Sequence, residues 1–334
     1  MRRIVECVPN FSEGRDTGKI QQIAAEVERA RGVKLLDVDS NPDHNRTVLT
    51  FVGAPGPVKK TAYNAIARAA EVIDMAKHQG QHPRLGACDV CPFVPVRDVT
   101  MGDCVELANE LGREVGEKLG IPVYLYEEAA RIPERRNLAG IRAGQYEGLE
   151  AKLRDPCWKP DYGPAVFNKK SGATVIGARE SLIAYNVYLG ASEKQIAHEI
   201  ATIIRESGCV ATTDDGQRIR TPGVFRSVKA IGIALEEMGV VEVSMNLTNY
   251  KITPLHLVFE TIKQLAQLAG VDVLYSEVVG LVPKEAMLDA GRFYRPGARS
   301  EKELIEAAVR NLRLDSPQGF DPGTKIIEYL IGVP

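Results

Sequence analysis

The stretch Gln81-His82-Pro83-Arg84-Leu85-Gly86-Ala87-Cys88-Asp89-Val90-Cys91-Pro92 changes character halfway along. Its front half is polar and irregular, and its back half continues as an apolar, proline-punctuated strand through Val96. Pro83 biases His82 toward extended geometry, so the histidine belongs in a loop that feeds a strand. Reactive groups often sit in such loops when a rigid scaffold holds them, although a histidine so placed is read first as a surface residue. The surrounding chain decides what the loop is mounted on.

Upstream, residues 4–8 form a short apolar run closed by Pro9-Asn10, and a helix pattern over 16–31 puts Ile20, Ile23, Ala24 and Val27 on one face. Gly32 closes that helix, and residues 33–39 read as a strand whose end carries Asp37 and Asp39. The turn-forming Ser40-Asn41-Pro42-Asp43-His44-Asn45 leads to a second strand over 46–53, which predicts a hairpin. A helix over 57–75 and the strand at 88–96 complete the order βαββαβ. A further helix over 103–119 and a strand at 123–126 extend it. Residues 127–161 then turn irregular and charged, and Arg135, Arg136, Arg142 and Arg154 suggest a basic rim.

Residues 155–172, rich in Pro, Gly, Asn and Lys and holding the only tryptophan, Trp158, read as a long loop between two halves. The second half repeats the order of the first. A strand at 181–189 precedes a helix that opens on the capping-box pattern Ser192-Glu193-Lys194-Gln195 and runs to Glu206. A polar loop over 212–220, paired strands at 224–235 and 240–246, a helix from Thr253-Pro254 to Leu268 and a strand at 273–282 follow. Two short helical segments near 302–312 and 325–330 form the tail. The expected fold class is α/β (α+β): two βαββαβ subdomains, 1–178 and 179–334, each a sheet with helices packed on it, with a ligand groove between them.

The length of 334 residues fits two domains. Lys and Arg number 42 against 44 Asp and Glu, so the chain lacks the basic footprint of a nucleic-acid binder, and any anionic ligand must be met by a local patch. No apolar run is long enough to span a bilayer, and Met1-Arg2-Arg3 leads straight into strand residues rather than a signal-peptide core. A cytoplasmic protein without membrane attachment is expected, with reduced cysteines. Of the six cysteines only Cys88 and Cys91 have C-x-x-C spacing, on opposite faces of a strand and with no second pair, so no metal is expected.

Five histidines are available for proton transfer. His78 falls at the end of the second helix, His198 inside a helix beside Glu199, and His256 in a first helical turn, where the helix dipole disfavours its cation. His44 and His82 lie on loops, and His82 is the better proton carrier. The sequence has no G-x-S-x-G, Walker A loop, H-E-x-x-H or G-x-G-x-x-G after the first strand, which leaves direct transfer without a bound cofactor as the simplest enzymatic reading.

The segments Val8-Pro9-Asn10-Phe11-Ser12-Glu13-Gly14, His82-Pro83-Arg84-Leu85-Gly86-Ala87, Asp89-Val90-Cys91-Pro92-Phe93, Gly172-Ala173-Thr174-Val175-Ile176-Gly177-Ala178-Arg179 and Val243-Ser244-Met245-Asn246-Leu247-Thr248 resemble the glutamate formimidoyltransferase family. The resemblance covers the chain from Val5 to about Pro283. It implies a homodimer of two-subdomain chains. It also implies transfer of the formimino group from N-formimino-L-glutamate to N5 of tetrahydrofolate, a co-substrate. The family's catalytic histidine corresponds to His82, and its folate-binding segment to Gly163-Pro164-Ala165-Val166-Phe167-Asn168-Lys169-Lys170-Ser171-Gly172. The interior of that segment and Cys88 depart from the family's usual residues. Asp39 is a secondary expectation, orienting an imidazole or an amidinium, or else only capping its hairpin. Arg84, Lys169 and Lys170 are candidates to meet glutamyl carboxylates. Vertebrate relatives continue into a cyclodeaminase domain, an activity not expected here. Alternatives are formyl transfer or a cyclo-ligase-like action on 5-formyltetrahydrofolate, or a non-catalytic folate-binding protein.

Overall fold

In the computed structural model, which describes residues 3–213, 215–314 and 319–332, the chain divides into two units, the first ending at Glu180 and the second beginning at Ser181. In chain order the first contains β1 (Ile4–Cys7), β2 (Asn10–Phe11), α1 (Thr17–Glu28), β3 (Val33–Asn41), β4 (Arg46–Gly53), α2 (Pro55–Val72) and β5 (Cys88–Arg97). It continues with α3 (Met101–Leu119), β6 (Val123–Glu127), α4 (Leu138–Arg142), α5 (Gln145–Arg154) and β7 (Thr174–Ala178). The strands β1 and β2 are two pieces of one line, interrupted at Val8-Pro9, where proline has no amide hydrogen for a ladder. Together they lie between β4 and β5, antiparallel to both. The expected β3–β4 hairpin forms, with Val33 opposite Gly53 and Asn41 opposite Arg46.

The expected βαββαβ order is present and is extended by α3, β6 and β7. The last strand inserts between β5 and the edge strand β6, parallel to each. The sequence reading contains no strand there. All five residues of β7 are buried, so the inside-outside alternation that marks a half-exposed strand is missing. Residues 155–172 therefore loop within the first unit and do not link the two.

Two cores flank this sheet. On one face, Ile23, Val27, Val58, Ile66, Leu111 and Val115 of α1, α2 and α3 pack on Phe51, Cys91, Phe93 and Ile176. On the other, Ile141 of α4 and Leu149 and Leu153 of α5 pack on Val90, Tyr124 and Val175. The stretch read as irregular thus holds two helices, and its arginines do not form a free rim. Arg135 is buried against Asp161 at 2.9 Å, Arg142 pairs with buried Asp89, and Arg136 and Arg154 pair with Glu128 and Glu150.

The second unit contains β8 (Ile183–Leu189), α6 (Lys194–Ile204), β9 (Cys209–Thr212), β10 (Arg218–Thr221), β11 (Val228–Leu235), β12 (Val240–Leu247), α7 (Leu255–Leu268) and β13 (Val273–Val279). Then follow α8 (Lys284–Tyr294), α9 (Glu301–Asn311), α10 (Pro322–Lys325) and α11 (Ile327–Leu330). Its antiparallel sheet runs β11-β12-β8-β13, with Tyr185, Val187, Val243 and Met245 facing Ile200 of α6 and Val258, Phe259 and Ile262 of α7. The βαββαβ order holds here too, with β9 and β10 inserted as an exposed hairpin where a polar loop is expected; Asp214 lies outside the described residues. The capping box does not form, because Glu193 is the cap residue of α6 and its side chain makes no cap bond. Thr253 likewise leaves α7 uncapped and donates to the Arg226 carbonyl at 2.6 Å. The tail gains α8, which the sequence reading lacks.

Cys7, Cys88, Cys91 and Cys104 are buried, with Cys7 Sγ 3.5 Å from Cys91 Sγ, and Cys157 and Cys209 are exposed. Among the described residues no group of three His, Cys, Asp or Glu side chains is placed to hold a metal ion. Nor is any described helix long and apolar enough to cross a membrane.

One backbone contact ties the His82 loop to the sheet: Gly86 and Gly172 form an antiparallel bridge. Gly172 has φ +66°, and a Cβ there would lie 2.0 Å from the Leu85 carbonyl oxygen. Gly172→Ala is expected to lower stability by roughly 1–3 kcal/mol from backbone strain alone, read as an earlier urea midpoint for the first unit. An unchanged midpoint would contradict the close approach.

Candidate active site

The loop that carries His82 is held from four sides. Asp89, only 2% exposed, accepts from Leu85 N through Oδ1 at 2.9 Å and from Arg142 through Oδ2. Ser12 donates its hydroxyl to the Gly86 carbonyl at 2.8 Å and its amide to the Ala87 carbonyl at 2.9 Å. Ala87 N donates to Ser171 O at 2.9 Å, and Ala173 N to Leu85 O at 3.1 Å. The fourth support is Arg84, which is 6% exposed and donates to both carboxylate oxygens of Glu147 at 2.9 and 2.6 Å. That bidentate pairing engages the guanidinium with a carboxylate of the protein itself.

Beside this loop a recess is lined by His44, His78 and His82, by Arg46 and Arg84, and by Asp89. The β3–β4 turn supplies His44 and Arg46 on either side of Asn45, whose φ of 48° is a left-handed value that asparagine tolerates. Asn45 fixes that turn by accepting from Gly14 N at 2.8 Å and donating to Gln79 O at 2.9 Å. His78 does not close α2. The helix stops at Val72, and His78 follows a single 3₁₀ turn at Met75–Lys77. Its Nδ1 accepts from Arg84 Nε at 3.1 Å, so the ring proton sits on Nε2 and is donated to the Asn45 carbonyl at 3.0 Å. Burial lowers its pKa, in keeping with a neutral positioning role.

His82 is partly buried, and its ring centroid lies 6.3 Å from that of His44. Burial, followed by the positive fields of Arg46, Arg142 and His44, pulls its pKa down to about 3. At neutral pH the ring is an unprotonated imidazole, able to accept a proton. Asp39 is exposed on β3, makes no hydrogen bond to His82, and acts through its field on Arg46. Of the remaining histidines, His198 is exposed. His256 is buried, with Nδ1 unbonded and its ring stacked on Phe293 at 4.5 Å.

Residues 163–172 run from an exposed start to a buried end. Pro164, Ala165 and Val166 are exposed, and Phe167 packs against Tyr146 with ring centroids 5.3 Å apart. Asn168 closes a turn by accepting from Ser171 N at 2.9 Å and Gly172 N at 2.7 Å. Tyr146 donates to Lys169 O at 2.6 Å, and Lys170 donates through Nζ to the Glu71 carbonyl at 2.7 Å. Ser171 is buried where the segment joins Leu85 and Ala87. The loop of His82 and the end of this segment are joined by backbone bonds, and nothing in the sequence indicated that Arg46, Asp89 and Arg142 would lie beside them. Arg142 lies 53 residues from Asp89, and no local pattern connects them.

In ligand-free protein followed by NMR, the His82 ring is expected to remain neutral at pH 5, where an ordinary histidine is largely charged. Between its unfolded value of about 6.5 and its folded value of about 3, the unfolded chain binds a proton that the folded chain does not. His82 therefore lowers stability as pH falls through that window and contributes nothing above it. His82→Asn should unfold with a shallower acid slope, and an identical slope would contradict the assignment.

A family model described as "Formiminotransferase domain, N-terminal subdomain" matches residues 4–179, and one described as "Formiminotransferase domain" matches residues 184–332. The formimidoyltransferase-cyclodeaminase of Gallus gallus is 47% identical over 335 residues, covering 99% of this chain and 60% of that protein. The glutamate formimidoyltransferases of Streptococcus pyogenes serotype M1 and Thermoplasma acidophilum are 44% and 46% identical, covering 88% and 87% of this chain and 94% and 92% of their own. The chain thus spans 60% of the length of the avian cyclodeaminase relative and nearly all of the two shorter ones. With both halves matched in order and full-length relatives well above 30% identical, this chain belongs to the formiminotransferase family.

Proposed function

We propose that the chain is a glutamate formimidoyltransferase, which moves the formimino group of N-formimino-L-glutamate to N5 of tetrahydrofolate and releases L-glutamate. The observation that carries this reading is the partly buried imidazole of His82, lining the recess from a loop whose backbone is bonded to the end of residues 163–172. Those residues are the proposed folate segment. The exposed Val166 and the Phe167 ring offer apolar contact to a flat heterocycle, and the Asn168 turn keeps the segment's shape.

In the reaction, the lone pair of N5 attacks the amidine carbon, forming the N5–C bond and a tetrahedral intermediate. His82 takes the proton released from N5 and returns it to the departing α-amine as the bond from carbon to the glutamate nitrogen breaks. The proton count closes without a covalent enzyme intermediate or a metal. Holding both reactants together supplies orientation, worth up to about 7–11 kcal/mol in well-aligned cases. Acid–base help from one histidine adds roughly 10²–10⁴-fold.

The reading extends to the assembly. Residues 1–178 and 179–334 act as the two subdomains of a cytoplasmic homodimer. Asp39 contributes by tempering the charge of Arg46, whose side chain feels its field.

His82→Ala is expected to cut kcat by at least about 10²-fold while tetrahydrofolate binding, followed by fluorescence quenching, is retained. Near-normal turnover would remove His82 from the chemistry. In the same absorbance assay, N-formimino-L-glutamate should outpace N-formyl-L-glutamate without added ATP, and an ATP requirement would overturn the transferase reading.

A further inference from the structure

Arg46 opens β4 and lines the same recess as His82. The other two arginines around the site are engaged, Arg84 by Glu147 and His78, and Arg142 by Asp89. Arg46 is only partly exposed, yet among the described residues its guanidinium has no hydrogen bond and no ion pair. Desolvation lowers its pKa, the charge of Arg142 opposes it, and Asp39 and Asp89 reach it only as fields. A guanidinium has five donors and no acceptor, and its best partner is a carboxylate taken by two parallel N–H bonds. A desolvated fork without a carboxylate, beside a neutral imidazole, is a half-built anion site.

We infer that Arg46 anchors a carboxylate of the amino-acid donor, and that seating this anion offsets part of the positive field around His82. The inference rests on the proposed transferase reading, because that donor brings an α- and a γ-carboxylate, and the recess already contains the proton acceptor. The charged and titratable groups facing His82 are Arg46 and His44 from the β3–β4 turn and strand, Arg142 from α4, Asp89 from β5, and Arg84 and His78 from its own loop. Asp89 is already paired with Arg142, and Arg84 with Glu147. Arg46 is the cation left for a ligand to neutralise. Neutralising it raises the basicity of His82, so the imidazole becomes a better proton acceptor once the donor is bound. Arg46 touches the substrate carboxylate and acts on the chemistry by positioning.

The test uses the whole chain with Arg46→Gln and Arg46→Lys. In Arg46→Gln the KM for N-formimino-L-glutamate should rise by roughly 30-fold or more, while that for tetrahydrofolate changes less than about threefold. Arg46→Lys, which keeps the charge and loses the fork, should fall between them. A second readout does not depend on turnover. With a ring-labelled His82, saturating L-glutamate should raise the histidine's titration midpoint in the wild type. In Arg46→Gln the ligand-free midpoint should already be higher, and L-glutamate should not move it further. An unchanged donor KM in Arg46→Gln, or a wild-type midpoint insensitive to L-glutamate, overturns the inference. Failure of the wild type to transfer a formimino group, with the L-glutamate response intact, overturns the transferase reading and leaves the carboxylate anchor standing.

Discussion

The geometry of the site depends on a carboxylate that has almost no access to water. Asp89, at the head of β5, has one oxygen on the Leu85 amide and the other on Arg142. An unpaired charge buried to that degree costs several kcal/mol, so the pair has to form for the sheet and α4 to pack together. Through that requirement, α4 is clamped over β5 and the loop preceding the strand is set to a fixed length. Leu85 cannot move without leaving a buried carboxylate oxygen without its donor. The position of His82, three residues upstream, follows from packing demands that have nothing to do with its chemistry.

The same arrangement explains the electrostatic state of the recess. Arg142 is brought close to satisfy Asp89, and its field reaches both His82 and Arg46. The result is a pocket with surplus positive charge and a histidine that stays neutral within it. Positive surroundings suit the arrival of an anion, and they keep the imidazole free of a proton but weakly basic until that charge is met.

Several of the chain's regular elements were legible because one face meets water, although α5 and α8, which share that contrast, were not. The apolar stripe of α1, the β3–β4 hairpin and the repeated βαββαβ order all declare themselves by periodicity. Two others stayed hidden: β7 is a short strand buried on both faces, and α4 is only five residues long. The hairpin of β9 and β10 is hidden for the opposite reason, since both strands are exposed throughout. At the site, the loop position of His82 was legible because Pro83 biases it toward extended geometry. Its neighbours were not, because Ser12, Arg46, His78 and Arg142 come from four separate parts of the chain and meet only when the sheet closes. His78 was misplaced for a related reason. The α2 pattern carries apolar residues on past Val72, where the backbone has already left the helix.

The distribution of thiols has a practical side. Four of the six cysteines lie in the core of the first unit, and burial holds Cys7 and Cys88 well above their ordinary pKa and Cys104 up to about 12. A maleimide or a disulfide reagent acts on thiolates that it can reach. In the native protein that leaves Cys157 in the first unit and Cys209 in the second. The unmodified sequence therefore offers one chemical handle per unit, a ready-made pair of attachment points for dyes or spin labels, while appearance of the remaining thiols would serve as a clock for opening of the first core.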